Sequence, residues 1–358
     1  MLYNWLFSIH SSEIFRCISF RSCIAAFTAF FISVFFGKWF IKKLRVLKIG
    51  EDTTKTDSEE LKWMHFDKKN TPTMGGVIIL VAIFVSTLLW CNIYNVYVLL
   101  LFFTMIWLGA LGFIDDYIKL TQKNAAGLSD VSKLLFQSAL GLILGLILYF
   151  HFHKFSWGTH LTIPFMKDCK PDLGPFYIVV VAFFIIGMSN AVNLTDGLDG
   201  LAIGCSIIAG IVFMVIAYIS GRVDFSNYLQ IPYVPGSEEL SVFSAALIGG
   251  SLGFFWYNCF PAQVFMGDTG SLALGGMLGL IAIIVKQEVL MIIVGGIFIA
   301  EAVSVFVQRY FYKMTRKRVF LCAPLHHHFQ FKGWPETKIT QRFWVIAGML
   351  AVFSLILL

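Results

Sequence analysis

The stretch VLLLFFTMIWLGALGFIDDYIK, residues 98–119, joins a long apolar run to two adjacent carboxylates at its end. About 20 apolar residues are enough for a helix to cross a lipid bilayer. A carboxylate carried to membrane depth costs about 2.5–3.5 kcal/mol. Asp115 and Asp116 therefore indicate a function that offsets this cost, and a metal ion with phosphate chemistry is the interpretation we favour.

The composition extends this pattern to the whole chain of 358 residues. Hydrophobic residues make up 58% of the sequence and charged residues only 13%, and the mean hydropathy is +0.78. These values exclude a water-soluble globular protein. We predict an all-α, polytopic integral membrane protein, built as a single transmembrane domain over residues 1–358. About ten transmembrane helices are expected, at residues 18–40, 74–91, 96–114, 133–150, 175–192, 200–220, 240–257, 271–287, 289–309 and 342–358.

The basic residues predict the orientation of the chain. Most of the 27 Lys and Arg residues fall in three segments, residues 38–73, 115–133 and 309–342. The positive-inside rule makes these segments cytosolic and places both termini on the outer side of the membrane. The net charge of +6 then comes from basic loops beside lipid headgroups, so no nucleic-acid partner is expected.

Three further polar motifs lie at the ends of apolar runs on the same predicted face: NLTDGLDG at 193–200, FMGDTGS at 265–271 and PLHHHF at 324–329. In the first, Asn193, Asp196 and Asp199 recur every three residues, which predicts a polar stripe on one helical face. An alternative for one of these aspartates, and for Asp268 in the second motif, is a helix N-cap.

Two other segments offer groups that suit a nucleotide substrate. The loop 258–266 contains Asn258 and Phe265, so that a base could stack there. Three consecutive histidines cannot all bind one ion because their side chains diverge, but one or two could contact phosphate; a surface loop is the alternative. Lys68 precedes TPTMGG at 71–76, which offers positive charge and backbone N–H groups to an anion. A plain loop-to-helix transition would look the same.

The ninth predicted span carries a buried acid. Glu301 and Gln308 are seven residues apart and share a helical face. The carboxylate must then point into the bundle or into a wet cavity. Acids near the bilayer midplane also occur in membrane carriers, but carriers usually show paired halves. No internal repeat is evident in this sequence, so a carrier is the weaker alternative.

Together, TPTMGG, DDYIK, NLTDGLDG, NCFPAQVFMGDTGS and APLHHHF resemble the motifs of the phospho-N-acetylmuramoyl-pentapeptide transferases, within the polyprenyl-phosphate N-acetylhexosamine-1-phosphate transferase superfamily. They span residues 65–330 in the family's order. Gln330 departs from the family pattern, which often has Glu at this position after the histidines. Sister enzymes that use UDP-GlcNAc or another nucleotide sugar are the nearest alternative.

The resemblance implies transfer of phospho-MurNAc-pentapeptide from UDP-MurNAc-pentapeptide to undecaprenyl phosphate, with Mg²⁺ as cofactor and a homodimer as the assembly. It implies that Asp268 binds the metal and that Asp115 and Asp116 lie beside the phosphates, where one of them deprotonates or positions the lipid phosphate. The implied substrate-binding residues are Lys68, Lys133, Asn193, Asp196, Asp199, Asn258, Phe265, Gln308, His326, His327 and His328.

Two mechanisms stay open at this level, direct attack by the lipid phosphate or a covalent phospho-aspartate. We favour direct attack because a phosphate monoester is already anionic near neutral pH, with a second pKa of about 6.

Overall fold

The computed structural model describes residues 13–46, 71–121, 127–165 and 170–358, together with Leu2, Tyr3, Trp5 and Phe7. Within these residues the chain forms α-helices and two short 3-10 helices. An isolated antiparallel bridge joins His160 and Asp172. The prediction of an all-α polytopic membrane protein is confirmed, whereas the single-domain assignment stays a prediction.

Thirteen α-helices have defined bounds in the described residues. They are α1 Ile18–Val46, α2 Gly76–Trp90, α3 Val96–Thr121, α4 Asp130–Phe152, α5 Tyr177–Thr195, α6 Leu201–Ser220, α7 Val223–Leu229, α8 Glu238–Asn258, α9 Gly267–Ile284, α10 Glu288–Val294, α11 Gly296–Thr315, α12 Leu325–Phe331 and α13 Glu336–Ile356.

Every predicted span contains a helix, but not every helix is a full span. Among the described residues eight helices are long and apolar enough to cross a membrane: α1, α3, α4, α5, α6, α8, α9 and α13. Helix α2 has only 15 residues, because residues 71–75 form a loop that pairs with residues 265–266. The predicted span 289–309 is divided into α10 and α11, which are bent by 83°. The count of ten spans therefore stays a prediction.

The break between α10 and α11 lies at two adjacent glycines, Gly295 and Gly296. A Cβ at Gly296 would come within 2.6 Å of Leu350 Cδ1 in α13, so the absence of a side chain permits this close packing. Glycine pairs are a recognised cause of sharp bends in helices. Beyond the break α11 exposes apolar side chains such as Phe306, at 68% exposure.

Helices α8 and α9 form the centre of the bundle. In their apolar windows 83% and 89% of residues are buried, against 28% for α1. Helix α8 packs against α1 and α6, and α9 packs against α3 and α5. Small residues allow the close approach: a Cβ at Gly249 of α8 would lie 2.0 Å from the carbonyl oxygen of Ala26 in α1. The outward face of α1 carries exposed Phe27, Phe31 and Phe35, as expected for contact with lipid.

Both ends of the bundle are fixed by specific contacts. At one end, Gly75 N–H donates to the Phe265 carbonyl and Phe265 N–H donates to the Pro72 carbonyl, both at 2.8 Å. At the opposite end, Arg21 of α1 and Glu239 of α8 form a buried ion pair at 2.6 Å. The first end also gathers the C-terminal ends of α3 and α5 and the N-terminal ends of α4 and α9, and we call it the aspartate end because Asp115, Asp116 and Asp268 lie there.

Candidate active site

Asp268 lies in the first turn of α9 and points away from the helix axis toward two lysines. Its Oδ2 is 2.9 Å from Lys133 Nζ and 3.2 Å from Lys119 Nζ. Its Oδ1 accepts a hydrogen bond from Asn193 Nδ2 at 2.9 Å. The residue at the N-cap of α9 is Met266, with no side-chain capping bond. The alternative that Asp268 is a helix cap is therefore wrong.

Asp116, near the end of α3, faces the N-terminus of α9. Its carboxylate accepts the backbone N–H of Asp268 at 3.1 Å, the backbone N–H of Thr269 at 3.0 Å and the Thr269 hydroxyl at 2.7 Å. The positive end of a helix dipole favours a negative charge at this place. These donors offset the cost of burying Asp116, whose exposure is 3%.

Asp115 points in a different direction from its neighbour, as consecutive residues of a helix must. Its Oδ1 accepts the Leu128 N–H at 2.7 Å. Its Oδ2 lies 2.7 Å from Lys119 Nζ and 2.8 Å from Lys133 Nζ. A Cβ at Gly127 would fall 2.5 Å from Asp115 Oδ1, and Gly127 has φ +59°. The absence of a side chain at Gly127 thus allows the backbone at residues 127–128 to approach this carboxylate closely.

The two lysines reach the site from different helices. Lys119 follows Asp115 by one helical turn in α3, at the spacing that brings side chains together. Lys133 lies in the first turn of α4, whose start is fixed by the N-cap Ser129, which accepts the Ser132 N–H. Both ammonium groups therefore converge on the space between Asp115 and Asp268.

The three aspartates form a group that could hold a divalent cation. One oxygen from each lies within 4.8 Å of the others, and this is the one such group among the residues that the structure describes. Asp116 is engaged by the N-terminus of α9, whereas Oδ2 of Asp115 and Oδ2 of Asp268 both contact the same two lysines. Mg²⁺ is usually held by one or two carboxylates, with substrate oxygens and water as its other ligands, and this pair of carboxylates fits that requirement.

Asp199 and Asn258 hold two neighbouring loops together. Asp199 Oδ2 accepts the Ala262 N–H at 2.9 Å. Asn258 Oδ1 accepts the Gly200 N–H at 3.1 Å, and its Nδ2 donates to the Val264 carbonyl at 2.9 Å. The N-cap of α6 is Gly200, without a side-chain bond, so the alternative that Asp196 or Asp199 caps α6 is wrong. The binding of nucleotide by these residues stays a prediction.

The three histidines have three different environments, as their divergence predicted. His326 is buried, with Nδ1 3.2 Å from Glu301 Oε1. His327 Nδ1 lies 2.7 Å from Gln330 Oε1. His328 Nδ1 accepts the Leu321 N–H at 3.1 Å, and burial, with a smaller effect from Lys332, lowers the pKa of His328, which favours the neutral acceptor form.

His326 connects α11 to the NLTDGLDG loop. Its backbone N–H also donates to Glu301 Oε1 at 3.2 Å. A Cβ at Gly197 would lie 2.2 Å from His326 Nε2, so the ring rests directly against this glycine. Glu301 does point into the bundle, as expected, and both side chains of the pair are only 1% exposed.

Two other predicted site residues, Gln308 and Phe265, lie in the described part of the chain. Gln308 Oε1 accepts the N–H groups of Val319 and Phe320, each at 3.0 Å, and so shapes the loop after α11. Phe265 is half-buried beside the 71–75 loop. Lys68 lies outside the described residues.

Two residues of the aspartate cluster were missed at the sequence level. Lys119 ends the DDYIK motif, and its i+4 spacing from Asp115 was a signal that could have identified it. Thr269 follows Asp268 directly and looked like an ordinary helical residue. Its contact with Asp116 depends on the packing of α3 against α9, which the sequence does not reveal.

Comparisons with known proteins give a consistent result. The family described as glycosyl transferase family 4 matches residues 98–286. The pattern described as phospho-N-acetylmuramoyl-pentapeptide-transferase signature 1 matches residues 68–80.

Among the curated relatives, three proteins named phospho-N-acetylmuramoyl-pentapeptide-transferase align over 99% of this chain and 98% of their own length. The protein of Desulfotalea psychrophila is 48% identical. Those of Desulforapulum autotrophicum and Syntrophus aciditrophicus are each 46% identical.

Proposed function

The chain belongs to the phospho-N-acetylmuramoyl-pentapeptide-transferase family, and on this basis we propose that it transfers phospho-MurNAc-pentapeptide from UDP-MurNAc-pentapeptide to undecaprenyl phosphate. The products are lipid I and UMP, and the reaction serves peptidoglycan synthesis. The observation that carries this proposal is the cluster of Asp115, Asp116 and Asp268 with Lys119 and Lys133 at the end of an apolar bundle.

The cluster suits a reaction between two anions. A nucleotide diphosphate and a lipid phosphate repel each other, so their reaction requires charge neutralisation and in-line positioning. Lys119 and Lys133 supply two positive charges within 3.2 Å of the acidic oxygens. The aspartate end lies where long apolar helices stop, so a lipid-borne phosphate and a water-borne nucleotide can meet there.

We propose direct transfer. An oxygen of undecaprenyl phosphate attacks the phosphorus that carries MurNAc, a new P–O–P linkage forms, and the bond to the uridine phosphate breaks so that UMP leaves with the electron pair. The carboxylates support this choice, because each of the three is already held by lysine, amide or hydroxyl donors. Each carboxylate would have to give up these contacts before it could attack phosphorus.

The residues also support a division of roles between the adjacent aspartates. Asp116 is occupied by donors of α9 and acts as a positioning residue for Asp268. Asp115 faces the lysines and Asp268, so it is the member of the pair that lies beside the phosphates and assists the lipid phosphate.

Mg²⁺ is the proposed cofactor, held by Asp268 and by the facing oxygen of Asp115. When bound it neutralises charge on the phosphate oxygens. Hydrogen bonds hold both carboxylates in position: Asn193 donates to Asp268 Oδ1, and the Leu128 N–H donates to Asp115 Oδ1.

The remaining predicted residues form the proposed nucleotide pocket. Asp199 and Asn258 brace the loops at 199–200 and 262–264, and Phe265 offers a ring for stacking on a base. The other proposed pocket residues are Lys68, Lys133, Asn193, Asp196, Gln308, His326, His327 and His328.

Substrate choice distinguishes this proposal from its alternatives. Purified protein with undecaprenyl phosphate and Mg²⁺ should release UMP from UDP-MurNAc-pentapeptide and not from UDP-GlcNAc. Preference for UDP-GlcNAc would indicate the sister-enzyme alternative. Uptake of nucleotide sugar into vesicles without UMP formation would indicate a carrier.

The proposed location is the bacterial inner membrane, with the aspartate end cytosolic and both termini periplasmic. Helices α1 and α11 run toward this end, and their last turns carry the basic residues Lys43, Arg45 and Lys313. A reporter fused after Leu358 should read as periplasmic and one inserted near Lys55 as cytosolic. The opposite pattern would overturn this topology.

A homodimer is proposed from the family resemblance. Crosslinking in native membranes, followed by denaturing electrophoresis, should give a species of twice the chain's mass. Its absence under conditions that crosslink a known membrane dimer would contradict the assignment.

A further inference from the structure

We propose that Lys119 and Lys133 couple the binding of a divalent cation to the binding of the nucleotide diphosphate, by holding the two cation-binding oxygens until phosphate draws the lysines away. This inference rests on the proposed function, and it concerns how the same site is regulated.

Four of the six carboxylate oxygens of the cluster accept hydrogen bonds from amide or hydroxyl donors. Both oxygens of Asp116 accept from the N-terminal turn of α9. Asp268 Oδ1 is held by Asn193, and Asp115 Oδ1 by the Leu128 N–H. This leaves Oδ2 of Asp115 and Oδ2 of Asp268, which contact lysine side chains, as the two oxygens that a cation could use.

Both lysines form ion pairs with these same two oxygens. The four distances from Lys119 Nζ and Lys133 Nζ to the two oxygens run from 2.7 to 3.2 Å. Each of the two ammonium groups thus contacts both carboxylate oxygens. A divalent cation that uses these oxygens would face two ammonium groups at contact distance, and such like charges repel strongly in a partly buried site.

A bound diphosphate would change the contacts of the two lysines. Its oxygens give the lysines new acceptors, and lysine is a long, flexible side chain suited to this exchange. Once the ammonium groups turn to phosphate, the two oxygens are free for the cation. Each ligand therefore makes binding of the other more favourable, and the coupling must be equal in both directions.

The inference is tested by direct measurement of metal binding, with Mn²⁺ as a spectroscopically visible probe and UDP as the diphosphate. Electron paramagnetic resonance of free Mn²⁺ gives the affinity of the full-length protein with and without saturating UDP. The same titration of the Asp268→Asn variant defines binding outside the site and by UDP itself. The coupling factor is the ratio of the two corrected dissociation constants.

We expect UDP to tighten Mn²⁺ binding to the unaltered protein by about tenfold, within the ordinary range for coupled sites. In Lys119→Met and in Lys133→Met, Mn²⁺ should bind more tightly without UDP, and the coupling factor should fall at least about threefold. Lys313→Met, an exposed lysine of α11, is the matched control and should leave both values unchanged.

The ratio is the decisive quantity, because loss of a positive charge alone would tighten Mn²⁺ binding equally with and without UDP. A coupling factor near one in the unaltered protein, or an unaltered factor in both lysine variants, would overturn the inference. If either Met variant fails to fold, the corresponding Gln variant takes its place. UMP release by the unaltered protein is measured in parallel, so that failure of the proposed function is recognised separately.

Discussion

Asp116 in α3 accepts the backbone N–H of Asp268 in α9 at 3.1 Å, so the side chain of one acidic motif holds the main chain of another. The same carboxylate binds Thr269 through both its N–H and its hydroxyl. This contact sets the direction in which the Asp268 side chain leaves the helix. The geometry of the cluster therefore depends on a residue whose own oxygens face α9 and not the two lysines.

Replacing Asp116 by Asn should lower turnover strongly and destabilise the protein by about 1–3 kcal/mol, because in either orientation the amide NH₂ would face a donor of Asp268 or Thr269. UMP release and thermal unfolding in detergent would measure the two effects. Thr269→Val removes only the hydroxyl and should cost about 1 kcal/mol while most turnover remains. An Asp116→Asn variant with unaltered turnover and unfolding temperature would show that this contact positions nothing.

Asp268→Asn should abolish turnover and weaken the dependence on Mg²⁺ without unfolding the protein. The Asn oxygen can still accept from Asn193, but a neutral amide cannot neutralise a divalent cation. Activity as a function of Mg²⁺ concentration, with circular dichroism as the folding control, tests this expectation. Near-normal activity in the folded variant would remove Asp268 from the metal site.

Gly112→Ala should disrupt the contact between α3 and α9, because its Cβ would lie 2.2 Å from the Asp268 carbonyl oxygen. Backbone atoms cannot move aside as a flexible side chain can, so we expect low stability and loss of UMP release. Gly187→Ala in α5 is the matched control, since its Cβ would meet nothing within 4 Å. Equal thermal unfolding of the two variants would contradict the proposed close packing.

Glu301→Ala should destabilise the protein more than Glu301→Gln. Glu301 accepts the backbone N–H of His326 and lies 3.2 Å from the ring Nδ1 in a fully buried setting, and a buried donor that loses its acceptor costs about 1–3 kcal/mol. Gln keeps an oxygen for the backbone N–H and should retain part of this stability. Thermal unfolding of both variants measures the difference, and equal unfolding temperatures would count against the pairing.

The sequence predicted the helices well because a span needs an apolar run of nearly fixed length. It did not predict the 83° bend, since residues 289–309 read as one continuous apolar run. The family resemblance assigns one of the two adjacent carboxylates to the lipid phosphate but does not show which one. That Asp116 faces α9 became visible only through its contact with Thr269, which depends on how two distant helices pack.

The convergence of Lys119 and Lys133 illustrates the same limit. The spacing of Asp115 and Lys119 is local and could be read from the sequence. The meeting of Lys133 with Asp268, 135 residues apart, depends on the arrangement of α4 and α9 around α3 and α5. The local spacing could identify Lys119 as a partner of Asp115, whereas the contact of Lys133 with Asp268 is visible only in the tertiary structure.

The most direct test of the central claim is rapid-mix measurement of UMP release by purified protein with UDP-MurNAc-pentapeptide and Mg²⁺, with and without undecaprenyl phosphate. We predict UMP and lipid I in equal amounts when the lipid phosphate is present, and no UMP burst or phosphorylated aspartate without it. A lipid-independent burst equal to the enzyme concentration, with label trapped on Asp115, Asp116 or Asp268, would contradict direct transfer. No UMP under either condition would contradict the proposed function itself.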